Sequence, residues 1–96
     1  MFDLAISGNN IVTPDGIRKA VVLIKDGRIA AVADTPPAGA EIMMVDIQDL
    51  VLMPGITDPH VHINEPGRTD WEGFETATRA AVAGGITTLV DMPLNA

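Results

Sequence analysis

The sequence predicts an α/β fold led by a β module, on three observations. Residues 2 to 46 break into short apolar strands separated by turn chemistry. From about residue 50 the pattern becomes strand, loop, helix, strand. Both histidines of the chain stand where the first of those later strands runs out, a position where parallel α/β folds keep their chemistry.

In the leading module, Phe2-Asp3-Leu4-Ala5-Ile6 alternates as a strand does, and Gly8-Asn9-Asn10 reads as a turn. Ile11-Val12 leads into Thr13-Pro14-Asp15-Gly16, where proline presets φ and Asp and Gly take the corner. Ala20 to Lys25 is apolar and β-branched, Asp26-Gly27 is a two-residue hairpin signal, and Arg28 to Ala33 returns. Thr35-Pro36-Pro37-Ala38-Gly39 reads as a surface loop, and Glu41 to Asp46 as another strand, with Met43 and Met44 as packing residues. The sum is a small antiparallel sheet or sandwich with no catalytic constellation. It is assigned residues 1–50, and the chemistry-bearing part 51–96.

In the second part, roughly Val51 to His60 is a buried strand. Thr69-Asp70-Trp71-Glu72 fits a helix capping box. Trp71, Phe74, Ala77, Thr78, Ala81 and Val82 recur at helical spacing as a buried stripe. Gly84-Gly85 ends the helix, and Ile86 to Val90 is a second strand. Strand, helix and strand make a βαβ unit with parallel strands. One such unit cannot cover both faces of its sheet, so more units are expected, as an open sheet or a barrel. A domain rarely stops just after a buried strand, so these residues read as the front of a longer polypeptide.

Composition bounds the partners. Ninety-six residues, 47% of them apolar, make a small globular chain. The net charge of −7, from 13 acidic and 6 basic residues, argues against nucleic acid and anionic membranes. Absence of cysteine removes disulfides and thiolate metal sites. The start Met1-Phe2-Asp3-Leu4 has no basic targeting region, and no apolar run is long enough to span a bilayer. A soluble cytoplasmic protein is the expectation.

His60 and His62 carry the chemistry. On a strand, residues i and i+2 face the same way, so both imidazoles project side by side, as ligands of one metal would. Two histidines merely satisfied at a strand end are the bland alternative. The apolar run Leu50 to Ile56 ahead of the pair and the polar loop Asn64-Glu65-Pro66-Gly67 behind it favour ligation. Asp58 is either a partner that fixes an imidazole tautomer or a turn residue before Pro59. Asn64 is a substrate contact or the start of an Asx-turn. Asn95 and Asp91, at the end of the second strand, are pocket residues or loop residues. Glu65 and Arg68 read as loop-fixing, and Trp71 as core or subunit packing.

Pro54-Gly55-Ile56-Thr57-Asp58-Pro59-His60-Val61-His62 after a short β module resembles the start of the amidohydrolase superfamily. Glu65-Pro66-Gly67-Arg68, Trp71-Glu72-Gly73-Phe74-Glu75-Thr76, Thr78-Arg79-Ala80-Ala81, Gly84-Gly85-Ile86-Thr87-Thr88 and Met92-Pro93-Leu94-Asn95 narrow the resemblance to allantoinases. Dihydroorotases and hydantoinases are the near relatives. The resemblance implies the N-terminal part of a small β-sandwich domain, followed by the first β-α-β of a (β/α)8 TIM barrel. It implies two divalent metal ions, zinc first and cobalt, manganese or iron as alternatives. His60 and His62 match the first two ligands. The bridging carboxylated lysine, two further histidines and the catalytic aspartate belong to later strands, outside these residues. Lys19 and Lys25 do not match the bridging position. The implied activity is hydrolysis of the cyclic amide of allantoin to allantoate. The partners are a small cyclic ureide and further copies of the chain in a homotetramer.

In dihydroorotases the residue two after the second histidine is typically an arginine that grips the substrate carboxylate, and the second strand ends Met-Pro-Asn. Here those places hold Asn64 and Leu94, with Asn95 one later, which favours a neutral substrate. Hydantoinase or dihydroorotase activity is the alternative within the family. A non-catalytic dihydropyrimidinase-like scaffold and a stand-alone metal-binding β-domain are the alternatives outside catalysis. Scaffold paralogues typically lose metal ligands, whereas both testable ligands are kept here. Two histidines are too few for structural zinc.

Overall fold

A computed structural model describes residues 1–38 and 41–94. In chain order the elements are β1 (Leu4–Thr13), β2 (Gly16–Lys25), β3 (Arg28–Ala33), β4 (Met43–Asp46), β5 (Val51–Leu52), β6 (Ile56–Val61), α1 (Phe74–Ala83) and β7 (Ile86–Asp91). They form two compact units, Met1–Pro54 and Gly55–Ala96.

The first unit is a single mixed sheet in the order β3-β2-β1-β4, with β5 also paired to β1. It is not the purely antiparallel module that the turn pattern suggests. The hairpins β1–β2 and β2–β3 are antiparallel, but β4 and β5 run parallel to β1 and share its other edge. Gly8-Asn9-Asn10 is not a turn either: β1 continues through it with a bulge between Gly8 and Ile11. Long-range bonds hold that bulge. Asn9 Nδ2 donates to Asp49 Oδ1 at 2.8 Å and Asn10 Nδ2 to the Asp49 carbonyl at 2.9 Å. The absent side chain of Gly8 leaves the space that Ile47 occupies.

Both hairpin turns form as the sequence predicts. Thr13 pairs with Gly16 around Pro14-Asp15, and Thr13 Oγ1 donates to the Gly16 carbonyl at 2.8 Å. Asp26 and Gly27 take φ of 52° and 74°, the left-handed pair of a type I′ turn.

The sheet is buried on both faces near its middle. Ala5, Val21 and Leu23 pack with Phe2, Ala33 and Ile42; Ile11, Ala20 and Val22 pack with Ile24, Ile47 and Leu52. The bulge is what lets Ile11 join the second group. Met43 and Met44, expected to pack, are 70% and 48% exposed, because four-residue β4 lies at the sheet edge.

In the second unit β6 and β7 are parallel, with α1 between them in sequence. The strand expected from Val51 to His60 is two strands. β5 belongs to the first sheet, Met53-Pro54-Gly55 breaks the run, and β6 starts at Ile56, whose N–H donates to the Gly85 carbonyl at 3.0 Å. Gly55 is a close approach: a β-carbon there would collide with the side chain of Thr87.

The helix starts later than the Thr69 capping box predicts. Residues around Arg68 are held in turns, with Arg68 N–H bonded to the Asn64 carbonyl at 2.9 Å. Gly73 is the N-cap, its N–H bonded to Thr76 Oγ1 at 3.1 Å, and Glu65 Oε1 accepts the N–H of Phe74 at 3.4 Å. Glu65 therefore anchors its loop by placing a carboxylate at the helix N-terminus. Arg68 lies over the Trp71 ring, 4.6 Å from its centre. Of the predicted helical stripe, Ala81 is buried; Phe74, Trp71 and Val82 are exposed. Within residues 55–94, β6 and β7 give α1 little surface on which to cover these side chains. No helix among the described residues is long and apolar enough to cross a membrane.

Candidate metal centre

His60 lies in β6 and His62 is the first residue beyond its end at Val61. Both are exposed. Their rings meet edge-on at 86° with centres 4.9 Å apart, and their Nε2 atoms are 3.2 Å from one another. Same-face projection from adjacent i and i+2 positions brings them together, as the period of a strand requires.

The tautomer of His62 follows from its second nitrogen. Nδ1 is 2.9 Å from the carbonyl oxygen of Met92. A carbonyl only accepts, so Nδ1 carries the proton and Nε2 presents a lone pair. A His60 tautomer with its proton on Nε2 would donate to that lone pair. Two imidazole nitrogens bound to one zinc ion near tetrahedral geometry lie about 3.3 Å apart. The pair thus fits a shared cation once His60 carries its ring proton on Nδ1 and presents Nε2 bare. Among the described residues no cluster of three or more His, Cys, Asp or Glu forms. Two histidines by themselves are fewer than the four ligands of a closed zinc site.

The surrounding contacts act on the backbone. Asp58 Oδ1 accepts the N–H of His60 at 3.1 Å, so this contact holds the main chain of the histidine and not its ring. Beyond β6, Met92 N–H donates to the Val61 carbonyl at 2.8 Å, and Ile63 N–H donates to Asp91 Oδ1 at 2.9 Å. Asn64 is half-buried. Its N–H bonds the Glu72 carbonyl at 3.0 Å, and its carbonyl accepts from Arg68 N–H at 2.9 Å and Thr69 Oγ1 at 3.4 Å. The turn is built by the backbone of Asn64, and its side-chain amide takes no part in those bonds. Asn95 lies outside the described residues.

Residues 51–96 match the model of the amidohydrolase family. An allantoinase from Streptomyces avermitilis is 55% identical over 96 residues, which span 97% of this chain and 21% of the relative. The Escherichia coli allantoinase is 46% identical over 94 residues, 98% of this chain and 20% of the relative. The chain is similar to the N-terminal segment of allantoinase-like amidohydrolases. A mitochondrial allantoinase from Aquarana catesbeiana is 50% identical over 93 residues, 94% of this chain and 19% of the relative. Among solved structures, the L-hydantoinase (dihydropyrimidinase) of Arthrobacter aurescens superposes on this chain with a TM-score of 0.81 at 35% identity, covering 99% of this chain and 21% of that one. A prolidase, 21% identical with a TM-score of 0.64 over 90% of this chain and 24% of its own, shares the fold alone. The segment spans about a fifth of the length of the curated relatives it matches.

Two elements around the histidine pair escape a reading of residue types. The Met92 carbonyl is a backbone group and has no signature in sequence. Asp91 stands out only as an acid ending an apolar strand, and its partner is an amide 28 residues away.

Proposed function

We propose that the protein containing this segment is a metal-dependent cyclic amidohydrolase that opens the hydantoin ring of allantoin to allantoate. The observation that carries the reading is the His60–His62 pair, two Nε2 atoms 3.2 Å apart at the end of a parallel strand. It lies within a segment that is 46% to 55% identical to allantoinases. On this reading residues 1–50 are the N-terminal part of a β-sandwich domain and residues 51–96 open a (β/α)8 barrel. Two divalent ions, zinc in the first instance, would lower the pKa of a water and polarise the ring carbonyl when bound.

His60 and His62 hold one ion through Nε2. Met92 orients the His62 ring through its carbonyl, and Asp58 steadies the backbone that carries His60. Asn64 and Asn95 meet the neutral ureido end of the substrate. The remaining ligands, the bridging lysine and the proton-shuttling aspartate come from other parts of the polypeptide. Asn64 brings no positive charge, so a substrate carboxylate would stand unpaired, which costs several kcal/mol in a buried site. A homo-oligomer in the cytoplasm completes the reading.

The L-hydantoinase match supports a second reading, hydrolysis of 5-substituted hydantoins, which are also neutral at that end. Comparison of kcat/KM for allantoin, dihydroorotate and a 5-alkyl hydantoin on the full-length protein decides. Allantoin is expected to be the best of the three and dihydroorotate nearly inert. Dihydroorotate as the best substrate would overturn the Asn64 argument. The alkyl hydantoin as the best would keep the family chemistry and replace the substrate.

A further inference from the structure

The β6–β7 ladder ends with Val61 opposite Asp91, and its last regular bond runs from Met92 N–H to the Val61 carbonyl at 2.8 Å. In a regular parallel ladder the next rung would run from Ile63 N–H to the Met92 carbonyl. The structure exchanges the partners of that rung. Ile63 N–H donates to Asp91 Oδ1 at 2.9 Å, and the Met92 carbonyl accepts Nδ1–H of His62 at 2.9 Å. Ile63 is 3% exposed, so its N–H needs a partner within the protein. Pro93 follows and has no N–H with which to extend the ladder.

We propose that Asp91 is a positioning residue for His62. Its carboxylate takes the amide of Ile63 that would otherwise claim the Met92 carbonyl. That carbonyl is thereby left for the imidazole, which holds the proton on Nδ1 and keeps Nε2 bare. The consequence for metal rests on the reading of His62 as a ligand; the consequence for the tautomer does not. Removing the carboxylate returns Ile63 N–H to the ladder, and His62 loses the acceptor that fixes its ring. Asn in place of Asp keeps an acceptor oxygen at the same reach.

The test uses the full-length protein and two readouts. Nitrogen-15 spectra of the metal-stripped protein report the His62 tautomer, and transfer of zinc to a chelator reports the hold on the ion. Wild type is expected to show His62 as the Nδ1–H tautomer. Asp91→Ala is expected to bring in the Nε2–H tautomer and to weaken zinc binding by about 10–100-fold. Asp91→Asn is expected to restore both. An Asp91→Ala protein with the wild-type tautomer and wild-type zinc retention overturns the assignment. Should Asp91→Ala fail to fold, wild type decides: a predominant Nε2–H tautomer of His62, or rapid hydrogen exchange at the Ile63 amide, overturns it. His62→Ala serves as the control. Full zinc content there would overturn the ligand reading, and the tautomer measurement would still judge Asp91.

Discussion

The Nε2 atoms of His60 and His62 lie 3.2 Å apart, one residue to either side of the point where β6 ends. Strand geometry sets which way both rings point. Ile63 is buried, so the second ring stands on a fixed base although both rings are exposed.

Loss of either ring should therefore cost metal. His60→Ala and His62→Ala in the full-length protein are each expected to lose at least one of two bound divalent ions. Elemental analysis of the purified variants beside wild type measures this. Complete occupancy in both would remove the two histidines from the ligand set.

Asn64 separates binding from folding. Its turn-forming bonds are made by the backbone, which Asn64→Ala retains. The variant should melt close to wild type. Loss of a hydrogen bond to substrate should lower kcat/KM for allantoin by about 1–3 kcal/mol, or roughly 5–150-fold. Unchanged kinetics would assign the amide to the loop alone.

Gly55 tests the approach of the β6 entry to β7. Gly55→Ala places a methyl group against Thr87 and should cost about 1–3 kcal/mol in denaturant unfolding. Thr87→Ala in the same chain should recover part of that loss, which a double-mutant cycle reads as coupling. Two strictly additive losses would show that the clash is relieved elsewhere.

In the first sheet, Ile11 at 2% exposure and Ile17 at 62% offer a matched pair. Ile11→Ala should cost about 2–5 kcal/mol. Ile17→Ala should stay within about 0.5 kcal/mol of wild type. Equal losses would mean that the bulge does not deliver Ile11 to the core.

The parts of this protein legible in its sequence are those in which a few neighbouring residues determine the outcome. Asp26-Gly27 specifies a type I′ turn because both corners need positive φ. Gly84-Gly85 stops a helix for a similar local reason, with Gly85 at φ 82°. Same-face placement of His60 and His62 needs only the period of a strand. Allantoinase-like motifs from Pro54 onward were readable as residue strings.

What the tertiary structure decided involves partners far apart along the chain. Gly8-Asn9-Asn10 has the chemistry of a turn, yet Asp49 holds it as a bulge within a strand. Val51-Leu52 is apolar enough to continue into the histidine strand, yet it pairs with β1. Thr69 and Glu72 have the spacing of a capping box, but the turns around Arg68 pass the N-cap to Gly73 and a carboxylate contact to Glu65. The tautomer of His62 depends on a carbonyl at Met92, and the freedom of that carbonyl on the carboxylate of Asp91. Residue type and spacing determine which way a side chain can point; which donor meets which acceptor is settled only when buried amides compete for partners in the folded chain.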